Sequence, residues 1–382
     1  MRSKPHIGIF VDWYLPGFKA GGPIRSVANL VDRLHGDIDF SIVTSDRDLH
    51  MNSVYDGITP NQWTERDNCR VMYLSPENRS YSELKQIILA SNFDTIYLNS
   101  LFSVRFSLFP LLIGRSLGVR TILAPRGMLG RGALRLKPLK KKVFLSVFRL
   151  MGLHHKVLWH ATAETEREEV TAVFGSKLNL FVAPNLTELN MPSPKKEKKL
   201  PGRLRLFFLS RISPKKNLEG ALKVLGATNG ENDIIFTIIG PIEDQGYWEL
   251  CKQLIDNLPK HISVHFKGEL PHQEVIEEIG RQEVMLFPTH NENFGHVIVE
   301  AWRGGCPVIL SDQTPWKDLE NKYLGKVHAL SETTNFVRSV DTFAAMGEDE
   351  FAKWTHSCIG FAEELSKDDQ AVGVYREIFM NT

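Results

Sequence analysis

The chain has 382 residues, enough for two or three domains of ordinary size and for cores that need no covalent staples. Hydrophobic residues make up 42% and charged residues 24%, which excludes a disordered chain. A net charge of +1, from 46 Lys+Arg against 45 Asp+Glu, excludes a polycation built for nucleic acid.

Short β-branched or aromatic runs alternate with longer helical stretches. The first set predicts strands at 6–11, 39–44, 94–99, 119–124 and 178–183, the second at 204–210, 233–239, 262–267, 284–289 and 306–311. Most are apolar at consecutive positions, as strands buried on both faces are, so the expectation is α/β with parallel sheets and helices on both sides. Between the sets, 185–203 is rich in proline and lysine with little apolar periodicity and reads as a linker. The expected organisation is therefore an N-terminal domain at 1–184, that linker, a C-terminal domain at 204–360, and a terminal helix within 361–382.

The four cysteines are far apart with no C-x-x-C pair, so neither a disulfide framework nor a four-thiolate zinc site is expected. The N-terminal apolar run is short and interrupted by Asp12, and no stretch of about 18 uncharged apolar residues occurs. A cytoplasmic, reduced protein is the expectation. Two α/β domains joined by a linker make a cleft, and open sheets bind ligands beyond the carboxyl ends of their strands. Chemistry is therefore sought in the loops that follow strands.

After the first strand, WYLPGFKAGGP places Gly21 and Gly22 before Pro23, which suits the first turn of a helix over 23–34. Free backbone N–H groups there make either an anion site or a plain β–α turn. After the first strand of the second half, SRISPKKNL places Arg211 at the strand end and Lys216 five residues on. Two cations beside free N–H groups suit a diphosphate, although the bare spacing also fits a solvated basic turn. The segment 288–301, PTHNENFGHVIVEA, runs from strand through polar loop into helix and carries Glu292 and Glu300. Carboxylates accept hydrogen bonds from sugar hydroxyls, and the N–H groups of Phe294 and Gly295 can hold an anion between the two acids. Two Glu eight residues apart can equally be surface charge.

Together these residues resemble the signatures of the GT4 family of retaining glycosyltransferases. PTHNENFGHVIVEA is similar to the family's E-x7-E segment, SRISPKKNL to its diphosphate-binding turn, and the GGP loop to its N-terminal glycine loop. APRGML at 124–129, APN at 183–185 and SDQTPWKDL at 311–319 extend the likeness over nearly the whole chain. The resemblance implies the GT-B fold, two Rossmann-like domains with parallel sheets facing across a cleft, and a C-terminal helix returning to the N-terminal domain. It implies a metal-independent hexosyltransferase that takes a UDP- or GDP-sugar as substrate, with no further cofactor, and transfers the sugar to a glycan or lipid-linked acceptor with retention. Bacterial surface polysaccharide or lipopolysaccharide synthesis is the implied setting. Catalytic roles then fall to Glu292, Arg211, Lys216 and Arg126, and donor binding to Gly21, Gly22, Asn293, Phe294, Gly295 and Glu300. No Asp-x-Asp metal motif is present in residues 191–382, the half that carries the expected donor site. Many members carry a histidine where this chain has Arg126, and a guanidinium cannot act as a base. His154, His155 and His160 cannot be aligned to that position and read as structural or surface residues.

Residues 127–163 contain no acid and eight formal positive charges, with interleaved Leu, Val and Phe in 139–153. The pattern suits an amphipathic helix, either solvated or lying on an anionic membrane through 131–156. Dividing the chain reveals an asymmetry: residues 1–190 hold 24 Lys+Arg against 17 Asp+Glu, and residues 191–382 hold 22 against 28. Rival readings are a sugar-nucleotide epimerase or phosphorylase on the same architecture, and a non-catalytic carbohydrate- or nucleotide-binding module.

Overall fold

A computed structural model describes residues 4–135, 138–189 and 196–380. Two compact units emerge: Met1–Glu188 with Asp368–Thr382, and Leu189–Lys367.

The first unit runs β1 (His6–Phe10), α1 (Gly22–Leu34), β2 (Asp39–Ser45), β3 (Trp63–Arg66), β4 (Cys69–Leu74), α2 (Tyr81–Ser91), β5 (Thr95–Leu98), α3 (Phe109–Leu117), β6 (Arg120–Leu123), α4 (Arg131–Arg135), α5 (Pro138–Leu150), β7 (Leu158–Ala161), α6 (Glu164–Phe174) and β8 (Leu180–Val182). The strands form one sheet in the order β3-β4-β2-β1-β5-β6-β7-β8, parallel except for the β3–β4 hairpin. Ile7 and Ile9 of β1 join a core on one face with α1, and Phe10 joins a second core on the other face with α2, α3 and α5. Burial on both faces accounts for the uninterrupted apolar runs.

The second unit runs β9 (Arg203–Leu209), α7 (Leu218–Gly226), β10 (Asp233–Ile239), α8 (Gln245–Asp256), β11 (Ile262–Gly268), α9 (His272–Arg281), β12 (Val284–Phe287), α10 (His296–Arg303), β13 (Val308–Ser311), β14 (Gly325–His328), α11 (Thr333–Ala345) and α12 (Glu348–Ser366). Its six strands are all parallel, ordered β11-β10-β9-β12-β13-β14. In each sheet the chain works outward on one side and then crosses to the other, between β1 and β5 and between β9 and β12. Ligands bind such sheets at these reversals, beyond the carboxyl ends of the strands.

All ten expected strands are present. Four more were not foreseen: β3 is polar and half exposed, β7 carries a histidine, β14 lacks an apolar run, and β4 was passed over although Val71–Leu74 is a buried apolar run. The antiparallel hairpin departs from the wholly parallel expectation. The span expected to be a terminal helix, 361–379, contains a break: α12 ends at Ser366 in the second unit, and α13 (Asp369–Met380) belongs to the first. Ala371, Val372, Tyr375 and Phe379 of α13 are buried in the core beside α1. The segment 185–203 is packed at both ends. Asn29 donates to Leu186 O at 2.9 Å, while Lys199 is buried and its amide donates to Glu348 Oε2 at 2.5 Å. Its residues 190–195 lie outside the described residues, as do Leu136 and Lys137 of the basic segment.

Candidate active site

In the second unit, the loops after β9 and β12 meet at the sheet reversal. Pro214–Lys216 form a short 3-10 turn, and Asn217 enters the left-handed region at φ 59° to cap α7, accepting from Gly220 N at 3.1 Å. The Asn217 amide donates to Pro288 O at 2.7 Å and His290 N donates to Lys215 O at 3.0 Å, so the two loops are stitched together. Lys216 Nζ then lies 2.6 Å from Glu292 Oε2. Burial pushes the Glu292 carboxyl up, but Lys216 and Lys215, with the Asn293 amide 3.1 Å from Oε1, more than offset it and hold the group below the usual carboxylate range. The carboxylate is therefore ionised near neutrality and already paired with a cation.

Gly295 precedes α10 at φ 82°, and a Cβ there would sit 2.7 Å from Ile298 Cδ1 and 3.1 Å from Glu292 Cγ. Glycine thus lets the helix start close behind Glu292. The amides of Phe294 and Gly295 have no acceptor among the described residues. Aligned at a helix start, they present positive dipole ends to an anion. Glu300 lies within α10 and is half-buried. The segment 311–316 clamps this loop: Ser311 donates to Thr289 O at 2.5 Å, Glu292 N to Gln313 O at 3.0 Å, and Trp316 Nε1 to Phe294 O at 2.5 Å. That clamp is the structural role of SDQTPW, to which sequence reasoning attached no residue-level function.

Arg211 follows β9 and pairs at 2.8 Å with Glu243, each side chain about one-third exposed, rather than with Glu292. Its loop runs beside the one after β10, where Ile212 N donates to Pro241 O at 2.8 Å. A cavity of about 300 Å³ adjoins the start of α7 and is lined by Asn217, Glu219, Lys223, Pro288 and His290.

In the first unit, Arg126 follows β6 with φ 54°, next to Gly127 at φ 69°. Its Nε donates to Asn99 Oδ1 at 2.6 Å, Nη2 to Tyr97 Oη at 2.7 Å, and Nη1 to Asn185 Oδ1. All three acceptors are neutral, and Arg126 forms no ion pair with a described residue. Tyr97 contacts His160 Nδ1 at 2.7 Å, and His160 Nε2 faces Ala183 O at 2.9 Å and Tyr375 Oη at 3.2 Å. Burial, with Arg126 nearby, lowers the His160 pKa to about 3, and burial raises that of Tyr97 to about 12. Both are neutral, so His160 carries its proton on Nε2 and accepts from Tyr97. Glu166 holds the turn from the other side, accepting from Gly127 N at 2.5 Å and from Thr162 N and Oγ1 at 2.7 Å.

Asn99 links Arg126 to the glycine loop, since its Nδ2 donates to Pro23 O at 3.3 Å. Gly21 adopts φ 66° ahead of α1, and Asp48 fixes the preceding loop by accepting from Phe18 N at 2.8 Å and Lys19 N at 3.2 Å. Asp12 lies two residues beyond β1 and accepts from Ser103 at 2.7 Å; burial raises its pKa. The structure thus brings Gly21, Gly22 and Arg126 into one network, and Lys216, Glu292, Asn293, Phe294 and Gly295 into another. The holders Tyr97, Asn99, Asn185 and His160 were missed as site residues, although APN and the histidines had been noticed. A larger cavity, about 510 Å³ and lined by His6, His35, Ser41 and Arg70, opens at the amino ends of β1 and β2, away from either network.

Two parallel-sheet α/β units, each with its polar cluster beyond the carboxyl ends of its strands, define the GT-B class. Across 99% of this chain and the whole of its counterpart, Anabaena HepE, solved with UDP and glucose, superimposes with a TM-score of 0.72 at 14% identity. Sucrose-phosphate synthase from Thermosynechococcus elongatus gives 0.70 at 14% identity, over 99% of this chain and all of that one. WaaG, a glycosyltransferase involved in lipopolysaccharide biosynthesis, gives 0.68 at 11% identity, over 98% and 100%. Residues 192–350, within the second unit, match the family of glycosyl transferases group 1. Glycogen synthase from Mycobacterium tuberculosis is 28% identical over 115 residues, spanning 29% of this chain and about a quarter of that protein's length, 26%.

Proposed function

We propose that the protein is a retaining GT4 glycosyltransferase that moves a hexosyl group from a nucleoside-diphosphate sugar to a glycan or lipid-linked acceptor. The observation that carries this reading is the Lys216–Glu292 pair at 2.6 Å, set between the loops after β9 and β12 with the amides of Phe294 and Gly295 beside it. Departure of a nucleoside diphosphate builds negative charge, and preorganised cations and N–H dipoles stabilise it without rearranging. In this reading Lys216, Arg211 and the α10 amides hold the diphosphate without a bound metal. Glu292 contacts the transferred sugar, and Glu300 accepts from the ribose hydroxyls. UDP- or GDP-sugars are the donors, and the likeness to HepE, solved with UDP and with UDP-glucose, favours UDP. Retention rests on the family resemblance. Arg126 binds charge on a substrate, Gly21 and Gly22 leave the backbone open to it, and Asp12, Asn99 and Tyr97 shape that end of the first unit. The setting is bacterial surface polysaccharide or lipopolysaccharide synthesis, on the cytoplasmic side of an anionic membrane.

The test is nucleoside diphosphate release across a panel of donor sugars, with membrane and glycan fractions supplied as acceptors. Arg211→Ala and Glu292→Gln should each lower turnover about 10- to 100-fold, the loss of a charge-assisted contact. Unchanged turnover in both variants would refute the assignment.

A further inference from the structure

We infer that α5 docks the first unit on an anionic bilayer, laying one face into the headgroup region. Its inward face is fixed: Phe148 is buried against Trp159 and Phe174, and Phe144 packs edge-on to Phe102. Its outward face is apolar. Leu139, Val143, Val147 and Leu150 are 78%, 64%, 48% and 89% exposed, and their spacing of 4, 4 and 3 places them within about 80° of arc. Among the described residues no neighbouring element covers them, so the stripe is open to a partner.

Charge selects that partner. Lys140 lies on one side of the stripe and Lys142 on the other, both exposed, while Arg149, beside Lys142 and also exposed, lies with its guanidinium over the Phe174 ring. Residues 95–163 contain no Asp or Glu at all, so nothing on this stretch repels an anionic surface. An apolar stripe about three turns long with exposed cations on both sides matches hydrocarbon bordered by lipid phosphates. A protein partner would have to supply acidic groups on both sides of an apolar ridge, whereas an anionic bilayer supplies them everywhere. No described helix is long and apolar enough to cross a membrane, so the contact is interfacial. Lys141 is a different case: its Nζ donates to Ala133 O at 2.6 Å and sits over Phe102, so it holds α5 to α4 instead of facing outward. This inference deepens the membrane setting proposed above and rests on that reading for location only; the helix face exists whatever the donor.

The test is co-sedimentation of the full chain with vesicles of phosphatidylcholine alone or with 30–40% phosphatidylglycerol (about one anionic lipid in three), at low and raised salt. Binding should need the anionic lipid and weaken with salt. Lys140→Glu with Lys142→Glu should reduce partitioning at least 25-fold, roughly fivefold for each cation lost. Val143→Ser with Leu150→Ser should weaken it independently of salt. All four positions are exposed, and nucleotide binding in each variant reports an intact fold. Equal binding to both vesicle types, retention of binding in both double variants, or a second copy bound through this face in sedimentation velocity would overturn the inference. Because sedimentation requires no turnover, failure of the membrane contact and failure of the glycosyltransferase reading are separate results.

Discussion

Glu292→Gln removes one negative charge and keeps the side chain's shape. Glu292 Oε2 is 2.6 Å from Lys216 Nζ, and the side chains are only 15% and 12% exposed. A diphosphate that engages Lys216 must compete with this carboxylate or lie beside it, and the carboxylate opposes either arrangement. A charge-assisted hydrogen bond contributes about 1.5–3 kcal/mol, and partial solvent access places the opposing effect near the lower end, roughly tenfold in affinity. A nucleoside diphosphate without sugar isolates this term, because the sugar contact assigned to Glu292 is missing. Titration calorimetry at fixed ionic strength should therefore show UDP or GDP binding about tenfold tighter to Glu292→Gln than to the unmodified chain, while transfer is slower. Lys216→Met should weaken the same nucleotide by about tenfold. In the double variant most of the tightening should disappear, since the competed cation is gone. Weaker nucleotide binding in Glu292→Gln would refute the reasoning, because the carboxylate would then be supporting the diphosphate site.

His160 is neutral when folded, with a pKa lowered to about 3, whereas the unfolded imidazole takes up a proton below about 6.5. The unfolded state therefore binds the extra proton between these values, and stability falls as pH drops through that window, by up to about 1.4 kcal/mol per unit. Urea unfolding between pH 5 and 6.5 should show this slope and lose much of it in His160→Asn; an identical slope in both would contradict the buried neutral imidazole. Gly295→Ala must hold φ 82° with Cβ 2.7 Å from Ile298 Cδ1 and 3.1 Å from Glu292 Cγ, so a loss of about 1–2 kcal/mol and a fall in turnover are expected. Calorimetric melting and donor turnover that both match the unmodified chain would count against the role of that glycine.

What could be read from the sequence depended on how local each feature is. Strands buried on both faces announce themselves as apolar runs, and the loop from Thr289 to Gly295 is continuous in the chain, so both were legible. The hairpin strand β3 was not, because WTER has one half-exposed aromatic and no alternation that excludes a loop. Nor was the partner of Arg211, since Glu243 lies 32 residues away and reaches it only because β9 and β10 end side by side. The setting of Arg126 is the extreme case. Its acceptors lie 27, 29 and 59 residues away, just after β5, in β5 and after β8, and His160 stands behind Tyr97 across a further 63. No spacing rule connects those positions until the sheet order is known.

That same order explains why the cations of the two units are not equivalent. Lys216 and Arg211 each meet a carboxylate of their own unit, so binding an anion exchanges one ionic partner for another, and the net gain is modest and tunable. Arg126 is held only by amide and phenol oxygens, which fix the guanidinium plane without neutralising it. An anion reaching Arg126 displaces no carboxylate, so the electrostatic gain is retained in full, and the positive-φ turn at Arg126 and Gly127 is held by Glu166 in the orientation that gain requires. Substituting histidine there would trade a guanidinium that stays protonated for an imidazole whose ordinary pKa of about 6.5 leaves it largely neutral near pH 7. An arginine at this position is therefore suited to holding charge rather than moving a proton.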